Sequence, residues 1–262
     1  MLKLLKYEWK ACARTCLPLY GVLILMSLIS RILYVIPKNA SLDFMLPAIS
    51  SMLYMGVMMA AFVVTAVILI QRFYKNLLGS EGYLMFTLPV TVSQHLLSKT
   101  IIAVVMIALS GIAAFLSIGI FADMSFGTLF VDMIKGVARS GGLLFGLELL
   151  VLAVLGIADM ALFVYMCMAL GHLAGKHRLL MSVVWYVVLS TAVQVLLLMV
   201  MMGAGNAVPQ PFVDWMKVWW SGITPMGAAH LMLRCCCVFA LISDAVYFLV
   251  TRWILVHKLN LE

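Results

Sequence analysis

Charge is what this chain has least of. Its 262 residues include only 17 Lys and Arg and 10 Asp and Glu, 10% of the total, against 66% hydrophobic residues. A soluble domain carries about 25% charged residues. The mean hydropathy of +1.17 excludes water as the solvent for most of the surface. Other absences narrow the function. No GxxxxGK followed by Ser or Thr occurs. The nearest text, Gly171–His177, has glycines four apart and His177 in the hydroxyl position. No HExxH motif appears, and the Ser, His and Asp residues have no catalytic spacing. The six cysteines make no disulfide framework. Cys235, Cys236 and Cys237 are consecutive, so a helix spreads them by about 100° per residue instead of converging them on a metal.

What is present is long apolar runs. A helical span needs roughly 20 apolar residues, because the hydrocarbon core is about 30 Å thick. Spans are expected near 17–36, 46–70, 99–122, 143–170, 180–203 and 231–253. The runs are continuously apolar, whereas barrel strands alternate, so the expected fold is an all-α polytopic membrane protein with six transmembrane helices. The first run is too long for a signal peptide and no Ala-x-Ala site follows it.

Basic residues orient the spans. Lys3, Lys6, Lys10, Arg14, Arg72, Lys75, Lys99, Lys176, Arg178, Arg252 and Lys258 fall on one side; Lys38, Lys135, Arg139 and Lys217 fall on the other. The positive-inside rule then makes both termini cytoplasmic. The net charge of +7 borders spans and forms no soluble basic face, so nucleic acid is not an expected partner.

Three regions stand out. Lys3, Lys6, Lys10 and Arg14 share a sector of about 80° on a helix, with Leu5, Trp9, Cys12 and Cys16 opposite. Residues 1–16 therefore read as an amphipathic helix in the membrane interface, with Pro18 near the start of the first span. Residues 71–98 form a cytoplasmic segment with a polar break at Gly79–Gly82. It has apolar Leu84, Phe86 and Leu88 that need cover, then Pro89, and Thr91 or Ser93 as a helix cap. Residues 204–230 carry Pro209, Pro211, Trp215, Trp219, Trp220 and Pro225, the composition of an external interfacial or re-entrant element.

Ionisable residues inside spans are costly and are functional candidates. Asp159 and Asp244 should face protein or water. Arg31 and Glu148 fall at matching depth below the outer boundary, which permits an ion pair; snorkelling by Arg31 is the competing reading. Gly142 and Gly146 give a GxxxG spacing suited to close helix approach.

The text KYEWK at Lys6–Lys10, FYKNLLGSEGYLMFTLPVT at Phe73–Thr91 and HKLNLE at His257–Glu262 resembles the ABC-2 family of transporter permeases, in its short bacterial form without a fused ATPase. The six-span plan extends the resemblance over the whole chain. The resemblance implies a single transmembrane domain over 1–262 and a coupling segment that docks on an ATPase through Glu81, Gly82, Tyr83, Leu88 and Pro89. It implies separate ATPase subunits that bind ATP and Mg, a second identical or related permease, and a place in a bacterial cell membrane among lipid. The chain itself would need no cofactor and do no bond chemistry. The expected function is export of a hydrophobic, amphipathic or peptide-like cargo. An ion-coupled carrier, motivated by Asp159, Asp244 and Glu148, and a nonenzymatic scaffold are the alternatives.

Overall fold

In the computed structural model the described residues are 2–35, 45–79, 90–122, 142–174, 177–207 and 224–257, with a few isolated positions between them. They form six long helices: α1 (Leu2–Val35), α2 (Met45–Phe73), α3 (Val92–Phe121), α4 (Gly142–His172), α5 (Arg178–Ala207) and α6 (Pro225–His257). All six contain a stretch long and apolar enough to cross a membrane. The protein is an all-α, six-span polytopic membrane protein, with no strand among the described residues. The chain divides into two compact units, Met1–Gly136 and Val137–Glu262.

In the first unit α1 packs against both α2 and α3. The residues expected as an interfacial helix and those of the first expected span lie in one helix, α1, which runs through Pro18 without interruption. An interior proline forfeits a backbone hydrogen bond. Here a continuous buried stripe holds the helix together across it. Glu8, Cys12, Cys16, Tyr20, Leu23, Ser27 and Ser30 are all buried at spacings of three or four residues, and Pro18 faces outward. Cys12 and Cys16, expected on a lipid-facing side, are therefore core residues, 1% and 0% exposed. At 1.5 Å per residue α1 is about 51 Å long, so it must project beyond a hydrocarbon layer of about 30 Å.

Polar contacts join these three helices at successive depths. The Tyr20 hydroxyl lies 3.1 Å from both Thr65 Oγ1 and the Met106 carbonyl. Tyr54 and Ser117 share a hydrogen bond of 2.9 Å, and Ser30 donates to the Ser50 carbonyl at 3.0 Å. Tyr54 also stacks on Phe121 at 5.1 Å. Hydrocarbon gives little drive for one apolar helix to join another, so such bonds, worth about 0.6 kcal/mol each, fix which faces meet.

In the second unit α4 packs against both α5 and α6. Its core is concentrated toward the His172 end: Ala161, Leu162, Tyr165, Met166, Cys167, Met168, Ala169 and Gly171 are buried, with Thr251, Ile254 and Leu255 from α6. A turn at Leu173–Ala174, with His177 in the left-handed region at φ 57°, leads into α5. The close approach that small residues permit is found here and not at Gly142, where an added Cβ would meet open space. A Cβ at Gly171 would lie 2.5 Å from the Ser182 N and Cα atoms.

The Ser182 hydroxyl is also close, but the N and Cα atoms are backbone, which no rotamer relieves. Gly171→Val should lower the thermal unfolding midpoint of the purified protein, by overpacking of about 1–3 kcal/mol. Adding Ser182→Gly should not restore it; recovery in the double variant would show that the clash is with the Ser182 side chain.

Candidate functional site

The second helix does not end as a regular α-helix. Its last turn, Tyr74–Leu78, widens into a π-helical turn, closed by the Gly79 N–H donating to the Tyr74 carbonyl at 2.8 Å. Leu77 and Leu78 of that turn are 0% and 1% exposed. Gly79 is extended, and a Cβ there would sit 2.9 Å from the Lys75 carbonyl oxygen, which favours glycine at this stop. The chain is picked up again at Thr91, the N-cap of α3, whose N–H donates to Gln94 Oε1 at 3.3 Å. Thr91 was one of the two caps expected. Leu96 and His95 of the first α3 turns are buried. Both flanks of the segment 80–89 are thus anchored in the first unit.

A buried charge cluster crosses those flanks. Glu8 of α1 accepts a hydrogen bond from Lys99 Nζ of α3 at 2.9 Å, with the two residues 8% and 5% exposed. Arg72, at the end of α2, brings Nη2 to 3.9 Å from Glu8 Oε2. It donates through Nη1 to the Glu8 carbonyl at 3.4 Å and to Cys12 Sγ at 3.1 Å. One carboxylate therefore holds two cations from two other helices. Removing one member of such a buried set is strongly destabilising, because it strands the opposite charge.

The sequence-predicted residues fall as follows. Lys3, Lys6, Lys10 and Arg14 are exposed along α1 and Trp9 is 38% exposed. Glu81, Gly82, Tyr83, Leu88 and Pro89 lie outside the described residues, as do Pro209, Trp215, Trp219 and Trp220. Arg31 donates to the Ile120 carbonyl at 3.5 Å. The Glu148 carboxylate engages two α6 residues: His230 Nδ1 at Oε2, and Arg234 Nε at Oε1 at 2.8 Å. Phe145 contacts the His230 ring edgewise at 5.6 Å. Deeper in the same unit, Asp159 accepts from Ser243 Oγ, the residue before Asp244.

Glu8, His230, Arg234 and Ser243 escaped the sequence reading, and Lys99 was read only as a topology charge. Each had a faint signal. Glu8 is the lone acid among the Lys and Arg residues of the first sixteen positions, and His230 and Arg234 stand four apart, one face of a helix.

No known family model, curated protein or solved structure matches the chain.

Lys99→Met should cost about 3 kcal/mol of stability by leaving Glu8 short of a buried partner. Adding Glu8→Gln should recover part of that loss, since it removes the stranded charge. Denaturant unfolding of the three variants in detergent checks this, and equal losses from Lys99→Met with and without Glu8→Gln would deny the pairing its energetic role.

Proposed function

We propose that the chain is the membrane-spanning permease subunit of an ATP-driven transporter of the ABC-2 type. The observation that carries this reading is the Glu8–Arg72–Lys99 cluster. Glu8 lies within Lys6–Lys10 and Arg72 directly precedes Phe73–Thr91, two of the stretches that resemble the family. The cluster ties α1 to both flanks of the segment expected to dock on an ATPase.

In this reading both termini are cytoplasmic, the membrane is that of a bacterial cell, and two permeases assemble with two separate ATPase subunits. ATP and Mg belong to those subunits. This chain does no bond chemistry; it converts motion into access. A displacement of the segment containing Glu81–Pro89 moves the end of α2 and the start of α3 together. The buried charges pass that displacement to α1, whose length of about 51 Å carries it across the membrane. Partner closure drives transport only through differential interaction with the inward-open and outward-open arrangements. Shifting such an equilibrium from 1:99 to 99:1 takes about 5.5 kcal/mol. A coupling joint must therefore be stiff, and a buried ion cluster is stiffer than a surface pair.

A second reading, an ion-coupled carrier, is favoured by one observation: Asp159 and the Ser243–Asp244 pair meet midway along two spans. Reconstituted transport separates the two. Movement of cargo that needs the ATPase and ATP supports the first; movement driven by an ion gradient in the chain alone supports the second.

Glu81→Lys with Leu88→Asp should leave membrane insertion intact and abolish cargo-stimulated ATP use, since both residues fall outside the spans expected from the sequence. Co-purification and ATPase activity in liposomes measure this. Unchanged partner affinity and coupling in the double variant would remove the segment from the mechanism.

A further inference from the structure

Asp159 stands thirteen residues before the end of α4, and Asp244 thirteen before the end of α6. The two helices are joined at this level by the Ser243–Asp159 hydrogen bond. At 1.5 Å per residue both carboxylates sit about 20 Å from their helix ends, well inside the hydrocarbon depth. Asp244 Oδ1 is shut off from solvent and has no hydrogen-bond partner among the described residues. No cation of this unit's described residues is near along the helices. Arg252 is eight residues from Asp244 and Arg234 is ten, about 12 and 15 Å. On α4 the flanking candidates are Glu148, already engaged with His230 and Arg234, and His172 at the helix end. On α5 the only charge is Arg178, at its first residue. An intramembrane carboxylate is costly unless it is protonated or paired with a cation, so Asp244 as an anion needs a cation from outside these helices.

Aromatic rings stand beside the carboxylates. Phe163, one turn after Asp159 on α4, lies 5.4 Å from both the Tyr186 ring of α5 and the Tyr247 ring of α6, at interplanar angles of 61° and 57°. Tyr247 is three residues after Asp244, on the same side of α6. Carboxylate and π-face together recognise one chemistry, a cation with an apolar body: the carboxylate takes the charge and the rings take the alkyl or aryl surface.

We propose that Asp159, Ser243, Asp244 and the rings of Phe163, Tyr186 and Tyr247 form a binding site for a lipophilic organic cation, the cargo class of the transporter. The cargo role rests on the permease reading; the binding site does not.

The test uses the full chain in lipid nanodiscs, without any ATPase, so that its failure and the failure of the permease reading are separate. Binding of tetraphenylphosphonium is measured by equilibrium dialysis against empty nanodiscs, with tetraphenylborate as the anion of the same shape. Saturable binding of the cation alone is expected. Asp244→Asn should weaken it at least about tenfold, the scale of a lost charge-assisted contact. Asp244→Glu should keep it within about threefold, because the charge remains. Tyr247→Leu, which leaves both carboxylates in place, should weaken it about fivefold. It decides the matter if Asp244→Asn does not fold. Non-saturable uptake equal to that of empty nanodiscs, saturable tetraphenylborate binding of similar strength, or no effect of any of these variants would overturn the site. Cation binding by a chain that associates with no ATPase would keep the site and discard the permease reading.

Discussion

Within hydrocarbon, neither a backbone amide nor a charged side chain can turn to water for a partner, and this constraint organises the whole chain. The backbone answers it with six long helices. The side chains answer it with cross-helix pairing, placed wherever a polar group falls below the interface. Glu8 with Lys99 and Arg72, Glu148 with His230 and Arg234, and Asp159 with Ser243 all follow from it. Each pairing costs desolvation and returns specificity, since an apolar face alone says little about which helix it should meet.

The two units use that constraint differently. In the first, polar contacts recur from Glu8 through Tyr20 and Tyr54 to Ser30, binding α1, α2 and α3 along their length. In the second, burial gathers toward the His172 end of α4, and the stretch of α5 from Val187 to Val200 carries no buried residue. Its apolar side chains suit lipid or another membrane helix. In the proposed transporter the first unit carries the flanks of the coupling segment and the second carries the carboxylate–aromatic cluster.

The sequence was most legible where one physical signal dominated. Continuous hydropathy specified six spans and an all-α fold, because lipid admits no other use of runs that long. Thr91 was legible as a cap, because a hydroxyl residue before a helix has a local job. The break at Gly79 was legible for the same reason of locality, and the π-turn before it was not, since it depends on Leu77 and Leu78 finding a buried site. Periodicity separated the basic face of α1 from its other side. It could not say that this other side, with Cys12 and Cys16, meets protein in place of lipid.

Composition, hydropathy and local spacing by themselves determined the class of protein and the number of spans, and singled out Arg31, Glu148, Asp159 and Asp244 as polar groups inside them. Partner choice was decided only in three dimensions. Glu8 and Lys99 are 91 positions apart, and Glu148 and His230 are 82 apart. Matching depth permitted an ion pair between Arg31 and Glu148, but depth is one coordinate of three. The rotation of α4 against α6 gives that carboxylate to His230 and Arg234. Side-chain period fixes which residues share a face, while the packing of whole helices fixes which faces meet, and that second choice belongs to the chain as a whole.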